Sequence, residues 1–330
     1  MVLKIIANLN GGDLVTPDNE LTYKIYGSSD NYASPIATLG SALNDAKVSV
    51  TAGVVTIDNV DVGTEDEFKI SSVDEAGNES ILSDSASGFN FDSDYQAVLN
   101  FATSEGDTLP SASQQILQNN VVMGFKDKGL WDKEDAFGLF ATDASFNFAL
   151  ICWKRLIKMT AFNSPSFTTN GGIDGGGTAY IDTKFKSATD GVNFLLDDAG
   201  YSVNVGTTTP SGDVILGNSD VNQGGVRIKQ KSDADFELNS SSFPTSANYQ
   251  NGGNLHIDRI SSTQVVLKSE DDIRNETSNS TTLTSNPALI FRLKENYGNG
   301  NIKAFSARSS FTDQEKNDYN TIIDTYLNAI

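Results

Sequence analysis

Early in its last quarter the chain runs Leu255-His256-Ile257-Asp258-Arg259-Ile260 and then, after a short polar turn, Val265-Val266-Leu267. Leu255 and Ile257 are separated by one polar residue, so they lie on one face of an extended chain and His256 lies on the other. Apolar side chains at every second residue are typical of a β-strand with one buried face. Both stretches are therefore predicted to be strands of one sheet.

The same pattern extends over residues 140–311. Short alternating stretches are separated there by turns rich in Gly, Asn, Ser and Asp. Further predicted strands are Phe146-Asn147-Phe148, Ala179-Tyr180-Ile181-Asp182, Val203-Asn204-Val205 and Val226-Arg227-Ile228. Many short strands in a segment of this length predict a two-sheet jelly-roll sandwich.

Residues 1–90 are predicted to form a separate, smaller all-β domain. Tyr23 and Ile25 alternate with polar residues. Similar pairs follow at Val48 and Val50, Val55 and Ile57, and Phe68 and Ile70. Gly77 and Asn78 tolerate positive φ, which predicts a tight turn between two strands at residues 74–80. The pattern is typical of a sandwich of short antiparallel strands.

Residues 91–140 show helical spacing instead. Apolar residues follow the capping residues Asp92-Ser93-Asp94 at Tyr95, Val98, Leu99 and Ala102. A second helix is predicted from Pro110-Ser111 to Gly124 or Gly129. The segment then carries Trp131 and several Phe residues, which a flexible linker would lack. We interpret it as a short helical connector docked on the domain 141–330.

The chain ends in a predicted amphipathic helix. Thr312 and Glu315 form a capping box at its start. Apolar side chains recur along one stripe at Tyr319, Ile322, Ile323, Tyr326, Leu327 and Ile330. Polar residues lie mostly off the stripe, at Asn317, Asn320, Asp324 and Asn328. Such a stripe packs either on the sandwich of its own chain or against another subunit, and the sequence leaves both open.

Composition excludes several classes of function. The 330 residues carry 23 Lys plus Arg against 43 Asp plus Glu, a net charge of −20, which disfavours nucleic acid and anionic membranes as partners. Cys152 is the sole cysteine and His256 the sole histidine, so disulfides, cysteine-rich metal sites and histidine-based triads are not expected. The N-terminal apolar run is too short for a signal peptide, and we expect a soluble chain made in a cytoplasm.

The stretch from Phe68 to Ser80 resembles the penultimate strand and following hairpin of fibronectin type III domains, and Tyr23 to Ser28 resembles their third strand. Two features depart from that family. The usual strand Trp is missing, and Phe68 stands where a corner Tyr is common, so it cannot make that corner's hydrogen bond. The resemblance implies the fold of the first 90 residues and an adhesive or spacer role.

The stretch Gly171-Gly172-Ile173-Asp174-Gly175-Gly176-Gly177-Thr178-Ala179-Tyr180-Ile181-Asp182-Thr183 is similar to a Gly-rich turn and strand of concanavalin A-like and laminin G-like jelly rolls. Leu255 to Ile260 resembles the strand that carries an Arg in these modules. Ala304-Phe305-Ser306, with the helix from Thr312, resembles the ending of such proteins in tailed bacteriophages of Bacteroidetes-type hosts. Residues 109–131 and 140–143 resemble the same phage proteins. The resemblance implies a virion component: a head fibre, spike or tail appendage.

Acidic residues are common, so paired carboxylates carry little information about catalysis. The nearest approach to a glycosidase strand is Asp233-Ala234-Asp235-Phe236-Glu237, whose three acids share one face. Residues i and i+2 of a strand are roughly 6–7 Å apart. A retaining hydrolase needs two carboxyl groups about 5–5.5 Å apart, so this geometry does not exclude catalysis. The solvent-facing side of an ordinary strand has the same pattern, and we favour that interpretation over catalysis.

Other motifs are also better explained by structure than by chemistry. Gly175-Gly176-Gly177 lacks the Lys of a phosphate-binding loop and is interpreted as a hairpin turn. His256 is expected to be a surface or hydrogen-bonded histidine rather than a ligand. Trp131 and Trp153 could stack on sugars but are expected to pack in the core. Cys152 is expected to be a buried thiol.

A structural calcium ion is the one cofactor that the sequence admits. Weak candidate ligands are Asp190, Asn193, Asp197 and Asp198, with Asn218 and Asp220 as further oxygen donors. Lectin-like jelly rolls often bind calcium through such loop residues, but ordinary turn chemistry accounts for them equally well.

Together these observations favour a non-enzymatic structural protein of a bacteriophage virion, displayed on the capsid or tail and contacting host surface glycan. Expected partners are other virion proteins and copies of the same chain in a homo-oligomer. The alternatives are a bacterial protein that binds or cleaves carbohydrate, and a jelly-roll shell protein of a capsid.

Overall fold

A computed structural model describes residues 2–8, 20–27, 32–42, 44–45, 47–51, 54–61, 67–80, 86–87, 91–206, 214–218, 226–229, 236–240, 252–269 and 273–330. The chain forms two compact units, Met1–Phe91 and Asp92–Ile330. Within the described ranges, no helix is both long and apolar enough to cross a lipid bilayer.

The first unit is built from two antiparallel sheets. Its strands are β1 (Val2–Asn8), β2 (Thr22–Gly27), β3 (Pro35–Leu39), β4 (Val48–Thr51), β5 (Val54–Asp61), β6 (Glu67–Val73) and β7 (Ala86–Ser87). One sheet has the order β1-β5-β4 and the other β3-β2-β6-β7. Both contribute to one core, in which Tyr23, Ile25 and Ile70 from one sheet pack with Val48 and Ile57 from the other. The predicted sandwich is confirmed.

The predicted turn after β6 is also present. Gly77 has a φ of 83°, and the Asp74 carboxylate accepts hydrogen bonds from the Asn78 backbone and side-chain amides. The Glu79 carboxylate then accepts hydrogen bonds from Lys24, Tyr26 and Ser71. These bonds, the one from Lys24 first, lower the pKa of Glu79 to about 2 and tie the turn to β2.

The second unit contains 18 described strands, five α-helices and one short 3-10 helix, Trp131–Lys133. The strands are β8 (Glu134–Leu139), β9 (Ile151–Cys152), β10 (Ile157–Lys158), β11 (Thr160–Phe162), β12 (Ser166–Thr168), β13 (Gly172–Asp174), β14 (Tyr180–Asp182), β15 (Ala199–Val205), β16 (Val214–Gly217), β17 (Val226–Lys229), β18 (Phe236–Leu238), β19 (Gly253–Ser261), β20 (Gln264–Lys268), β21 (Ile273–Thr277), β22 (Leu289–Ile290), β23 (Arg292–Leu293), β24 (Asn296–Tyr297) and β25 (Asn301–Arg308). The helices are α1 (Ser93–Ser104), α2 (Ala112–Asp127), α3 (Phe146–Ala149), α4 (Ser187–Asp190) and α5 (Asp313–Ala329).

Most of these strands form two antiparallel sheets that pack face to face. The large sheet has the order β12-β13-β25-β15-β19-β20-β21, with β8 also paired to β25, and the small sheet has the order β11-β14-β22-β16-β17-β18. Leu255, Ile257 and Phe305 from the large sheet pack with Ile181 and Ile290 from the small one. The predicted mainly-β sandwich with a C-terminal helix is therefore confirmed. Leu255 and Ile257 of β19 point into the core between the sheets, as their alternation in the sequence indicates.

Two local predictions are wrong. Phe146-Asn147-Phe148 is a helical turn rather than a strand, because the Ser145 side chain caps it by accepting from the Phe148 amide. Gly175-Gly176-Gly177 does not close a hairpin, because β13 before it belongs to the large sheet and β14 after it to the small sheet. Its left-handed residues, Gly176 with a φ of 60° and Gly177 with 82°, let the chain turn from one sheet to the other.

The segment 91–140 lies within the second unit. It supplies α1, α2 and also β8, whose Phe137 stacks edge-on against Phe125 of α2 at a centroid distance of 5.2 Å. Phe125 in turn lies 5.1 Å from Tyr319 of α5. Helices α2 and α5 therefore cover the face of the large sheet that points away from the small sheet, hereafter its outer face.

Candidate functional site

The outer face of the large sheet carries a layer of buried polar side chains beneath α5. Hereafter called the polar layer, it consists of Glu134 of β8, Ser202 of β15, His256 and Asp258 of β19, and Ser306 and Arg308 of β25. All are almost completely inaccessible to solvent. They alternate along their strands with core residues, so the sheet is apolar on one face and polar on the other, and α5 closes the polar face.

The hydrogen bonds of the polar layer define the state of His256. The guanidinium of Arg308 donates to Ser202 Oγ over 2.7 Å and also lies 3.3 Å from His256 Nδ1. Nδ1 must therefore be an acceptor, which receives the Ser202 hydroxyl at 2.7 Å. Nε2 carries the proton and donates to Asn320 Oδ1 of α5, also at 2.7 Å. Burial and the Arg308 cation lower the pKa of His256 to about 3, consistent with a neutral ring.

Two carboxyl groups of the polar layer have opposite environments. Asp258 is ion-paired with Arg308 and lies 3.4 Å from Lys316 Nζ of α5. Burial opposes the charge of Asp258, but these two cations outweigh it and lower its pKa. Burial raises the pKa of Glu134 to about 8, although Ser306 Oγ donates to it over 2.6 Å. Glu134 is therefore protonated and Asp258 charged at neutral pH.

This arrangement stabilises the docking of α5 and does not present a nucleophile. Ser202 and His256 form a serine–histidine pair, but both are completely buried, so no substrate reaches them in this conformation. Sequence reasoning missed the layer, because it placed Asn317, Asn320 and Asp324 off the contact stripe of α5. Those residues contact Lys268, His256 and Asn254 of the sheet. Their spacing of three and four residues places them on one face of the helix, and this was the signal in the sequence that a second contact face exists.

The four candidate calcium ligands are engaged by separate protein groups. Asp190 is paired with Arg155 at 3.2 Å, and the Asn193 amide donates to Asp132 O and Asp135. Asp197 accepts from Ser280 and Asp198 from Ser310. In the part of the chain that the structure describes, no three His, Cys, Asp or Glu side chains come together in a group that could hold a metal ion. Calcium binding remains a prediction.

The predicted acidic strand is only partly described. Asp233 and Asp235 lie outside the described residues. Glu237 lies on β18 and is buried, with 2% of its surface exposed. The expectation of a solvent-facing Glu237 is therefore wrong, because its side chain is buried although β18 is the terminal strand of the small sheet.

Other singled-out residues lie in the core as expected. Trp131 and Trp153 are each 2% exposed and pack with Phe137 at 6.0 and 5.5 Å. Cys152 is buried, and burial raises the pKa of its thiol. Arg259 is also buried and donates to the Leu238 and Ser278 carbonyl oxygens. None of these residues offers a surface to a ligand.

A cleft of about 460 Å³ opens on the outer face of the large sheet, beside the first turn of α5. Its apolar lining includes Ile260, Val266 and Ile273, and its polar lining includes Asn275 and Lys316. Ile260 and Ile273 are 43% and 46% exposed, which is high for isoleucine in a folded protein.

A second surface feature lies on the small sheet, on the side facing away from the core. Phe162 and Tyr180 are cross-strand partners in β11 and β14, and their rings are stacked at 4.7 Å with planes 9° apart. The Arg292 guanidinium lies 4.5 Å from the Tyr180 ring centre and 5.5 Å from that of Tyr297. We call these four residues the aromatic stack. Phe162 is 39% exposed, so part of a ring is open to solvent.

No protein-family model and no curated protein matches the sequence. Solved structures with a similar arrangement of strands include the sialidase of Trypanosoma rangeli in complex with sialic acid, at 8% identity and a TM-score of 0.43. That match covers 84% of this chain and 44% of the sialidase.

Two single domains also appear among the similar structures. Domain 4 of AbnA, an extracellular arabinanase of Geobacillus stearothermophilus in complex with arabinotriose, matches at 10% identity and a TM-score of 0.37, covering 57% of this chain and 98% of the domain. The binding domain of botulinum neurotoxin DC in complex with SialylT matches at 9% identity and a TM-score of 0.34. That match covers 59% of this chain and 52% of the toxin domain. This chain thus spans about half the length of the toxin domain. Likenesses this distant assign no ligand to it.

Proposed function

We propose that this chain is a non-enzymatic structural protein of a bacteriophage virion that contacts host surface glycan through the aromatic stack. The observation that carries the proposal is the open ring of Phe162, held flat against Tyr180 on the outside of the small sheet. A pyranose ring has one face of C–H groups, which packs on a flat aromatic ring and leaves the hydroxyl groups at its edge. Arg292 supplies donors beside that ring for such hydroxyl groups.

The virion role rests on the sequence resemblance to phage structural proteins, and the two-unit β architecture is compatible with display and adhesion. A surface with a net charge of −20 repels strongly anionic polymers. We therefore infer that the glycan is neutral or weakly charged.

A glycan array probed with the parent chain and with Phe162→Ala tests the binding proposal. Met123→Ala is a matched control, because Met123 is similarly exposed at 45% on α2. We expect binding to a subset of neutral glycans that Phe162→Ala loses by at least tenfold and Met123→Ala retains. Equal binding by Phe162→Ala and the parent contradicts the assignment to the aromatic stack.

Two further measurements separate this proposal from its alternatives. Release of reducing ends from a bound polysaccharide would make the protein a carbohydrate-cleaving enzyme rather than an adhesive one. Mass spectrometry of purified virions should detect the chain at low copy number, whereas a copy number close to that of the main shell protein would indicate a capsid shell protein.

A further inference from the structure

β21 is the terminal strand of the large sheet at one end of its order. It pairs with β20 along one side, and in the described part of the chain no strand pairs with its other side. The terminal strands β11, β12 and β18 have three residues each, whereas β21 has five. An open strand of this length presents a row of backbone N–H and C=O groups that another strand can use.

The two faces of β21, onto which successive side chains alternate, differ in chemistry. Arg274 and Glu276 lie opposite Leu267 and Val265 of β20, which are core residues, so the charged pair is on the core side and is half-buried. Ile273, Asn275 and Thr277 are on the other side and are exposed. Charged residues on the inner side of an edge strand prevent most strands from pairing with it.

These charges permit one pairing between two copies of the strand. In a parallel, in-register pair, Arg274 would face Arg274 and Glu276 would face Glu276, which is unfavourable. In an antiparallel pair about a twofold axis at Asn275, Arg274 of each copy lies opposite Glu276 of the other. Ile273 then lies opposite Thr277, a favourable pair of β-branched side chains.

We propose that β21 joins two copies of this chain antiparallel about a twofold axis at Asn275, so that the large sheet continues from one subunit into the next. Such an interface is self-complementary, as a closed dimer requires. Ile273 and Asn275 also line the cleft beside α5, so the second copy lies at the edge of that cleft and covers the exposed Ile273. This inference does not depend on glycan binding.

A cysteine at the axis tests the register directly. Asn275→Cys places two thiols opposite each other at a Cα separation of about 4.5–5.5 Å, within the range of a disulfide. Thr277→Cys is the matched control, because its thiols would be four residues apart along the strand, roughly 13 Å. The natural Cys152 is buried and does not compete. Under mild oxidation we expect most Asn275→Cys to migrate at twice the 35.3 kDa chain mass and Thr277→Cys to stay monomeric.

A charge exchange in the Asn275→Cys background tests the role of the charged pair. Glu276→Arg should reduce cross-linking at least fivefold, because arginines then face arginines, and the exchange Arg274→Glu with Glu276→Arg should restore it. Thermal melting shows that each variant is folded. Folded Asn275→Cys that stays monomeric, equal cross-linking at 275 and 277, or cross-linking insensitive to Glu276→Arg overturns the proposal.

Discussion

Burial beneath α5 shifts the pKa values of Glu134 and His256 in opposite directions. The pKa of Glu134 is raised to about 8 and that of His256 is lowered to about 3. The folded state therefore holds more protons than the unfolded state at Glu134 between pH 4.5 and 8, and fewer at His256 between pH 3 and 6.5. Glu134 makes stability decrease as pH rises, and His256 makes it decrease as pH falls.

Glu134→Gln should remove the alkaline part of this dependence. Between pH 6.5 and 8 the parent should lose up to about 2 kcal/mol of unfolding free energy, because deprotonating a buried carboxyl is unfavourable. Gln keeps a neutral group that accepts from Ser306, so the variant should lose much less over the same range. Urea denaturation at the two pH values measures the difference. A parent and variant with the same decrease would show that Glu134 is charged in the folded protein.

His256→Gln should reduce the acid sensitivity. In the Glu134→Gln background, unfolding free energy should fall between pH 6.5 and 4.5, because the unfolded state binds a proton that the neutral buried ring does not. Adding His256→Gln should lower stability at pH 7, since contacts with Ser202 and Asn320 are changed, but flatten this fall. The same urea series measures it, and an unchanged slope contradicts the assignment of a neutral His256.

At the scale of elements, α5 is held by both an apolar and a polar contact with the large sheet. Tyr319, Ile323 and Tyr326 are buried, and Ile323 is fully inaccessible. The capping box predicted at Thr312 and Glu315 is present. The helix therefore packs on its own sandwich, as one of the two sequence-based alternatives proposed.

Ile323→Ala should destabilise the second unit by about 2–5 kcal/mol, because it leaves a cavity between α5 and the sheet. Asn328→Ala on the exposed side of the same helix is the control, with an expected effect within about 0.5 kcal/mol. Denaturant midpoints of the two variants provide the comparison. Equal midpoints would mean that α5 does not contribute to the folded core.

The strands were predictable wherever one face is apolar and the other polar. β15, β17 and β19 follow that rule, and their core residues point toward the facing sheet as expected. The Phe146–Phe148 turn escaped the prediction because alternation over three residues fits a helical turn as well as a strand, and only the Ser145 cap decides between them. The polar layer escaped it because polar residues opposite a core face are ordinarily exposed, and only tertiary structure shows that a helix covers them.

The aromatic stack also depends on tertiary structure. Tyr180 lay within a quoted motif, but Phe162, Arg292 and Tyr297 come from distant parts of the chain. Sheet pairing of β11 with β14 and the turn after β22 bring them together. No spacing in the sequence indicates that contact.

At the scale of the whole molecule, the first unit has a core of its own. Tyr23, Ile25, Phe68 and Ile70 are at most 1% exposed within it. Residues 1–91 expressed alone should therefore give a β-rich circular dichroism spectrum and one cooperative thermal transition. A featureless spectrum would contradict independent folding of this unit.

We propose that the chain holds glycan on the aromatic stack without cleaving it. Electrophoresis through a native gel containing a polysaccharide identified on the array tests this most directly, because retardation measures binding by the intact protein. We expect the parent and Met123→Ala to be retarded alike, Phe162→Ala to migrate as in a gel without polysaccharide, and the polysaccharide to keep its length. Retardation of Phe162→Ala equal to that of the parent, or shortening of the polysaccharide, would contradict it.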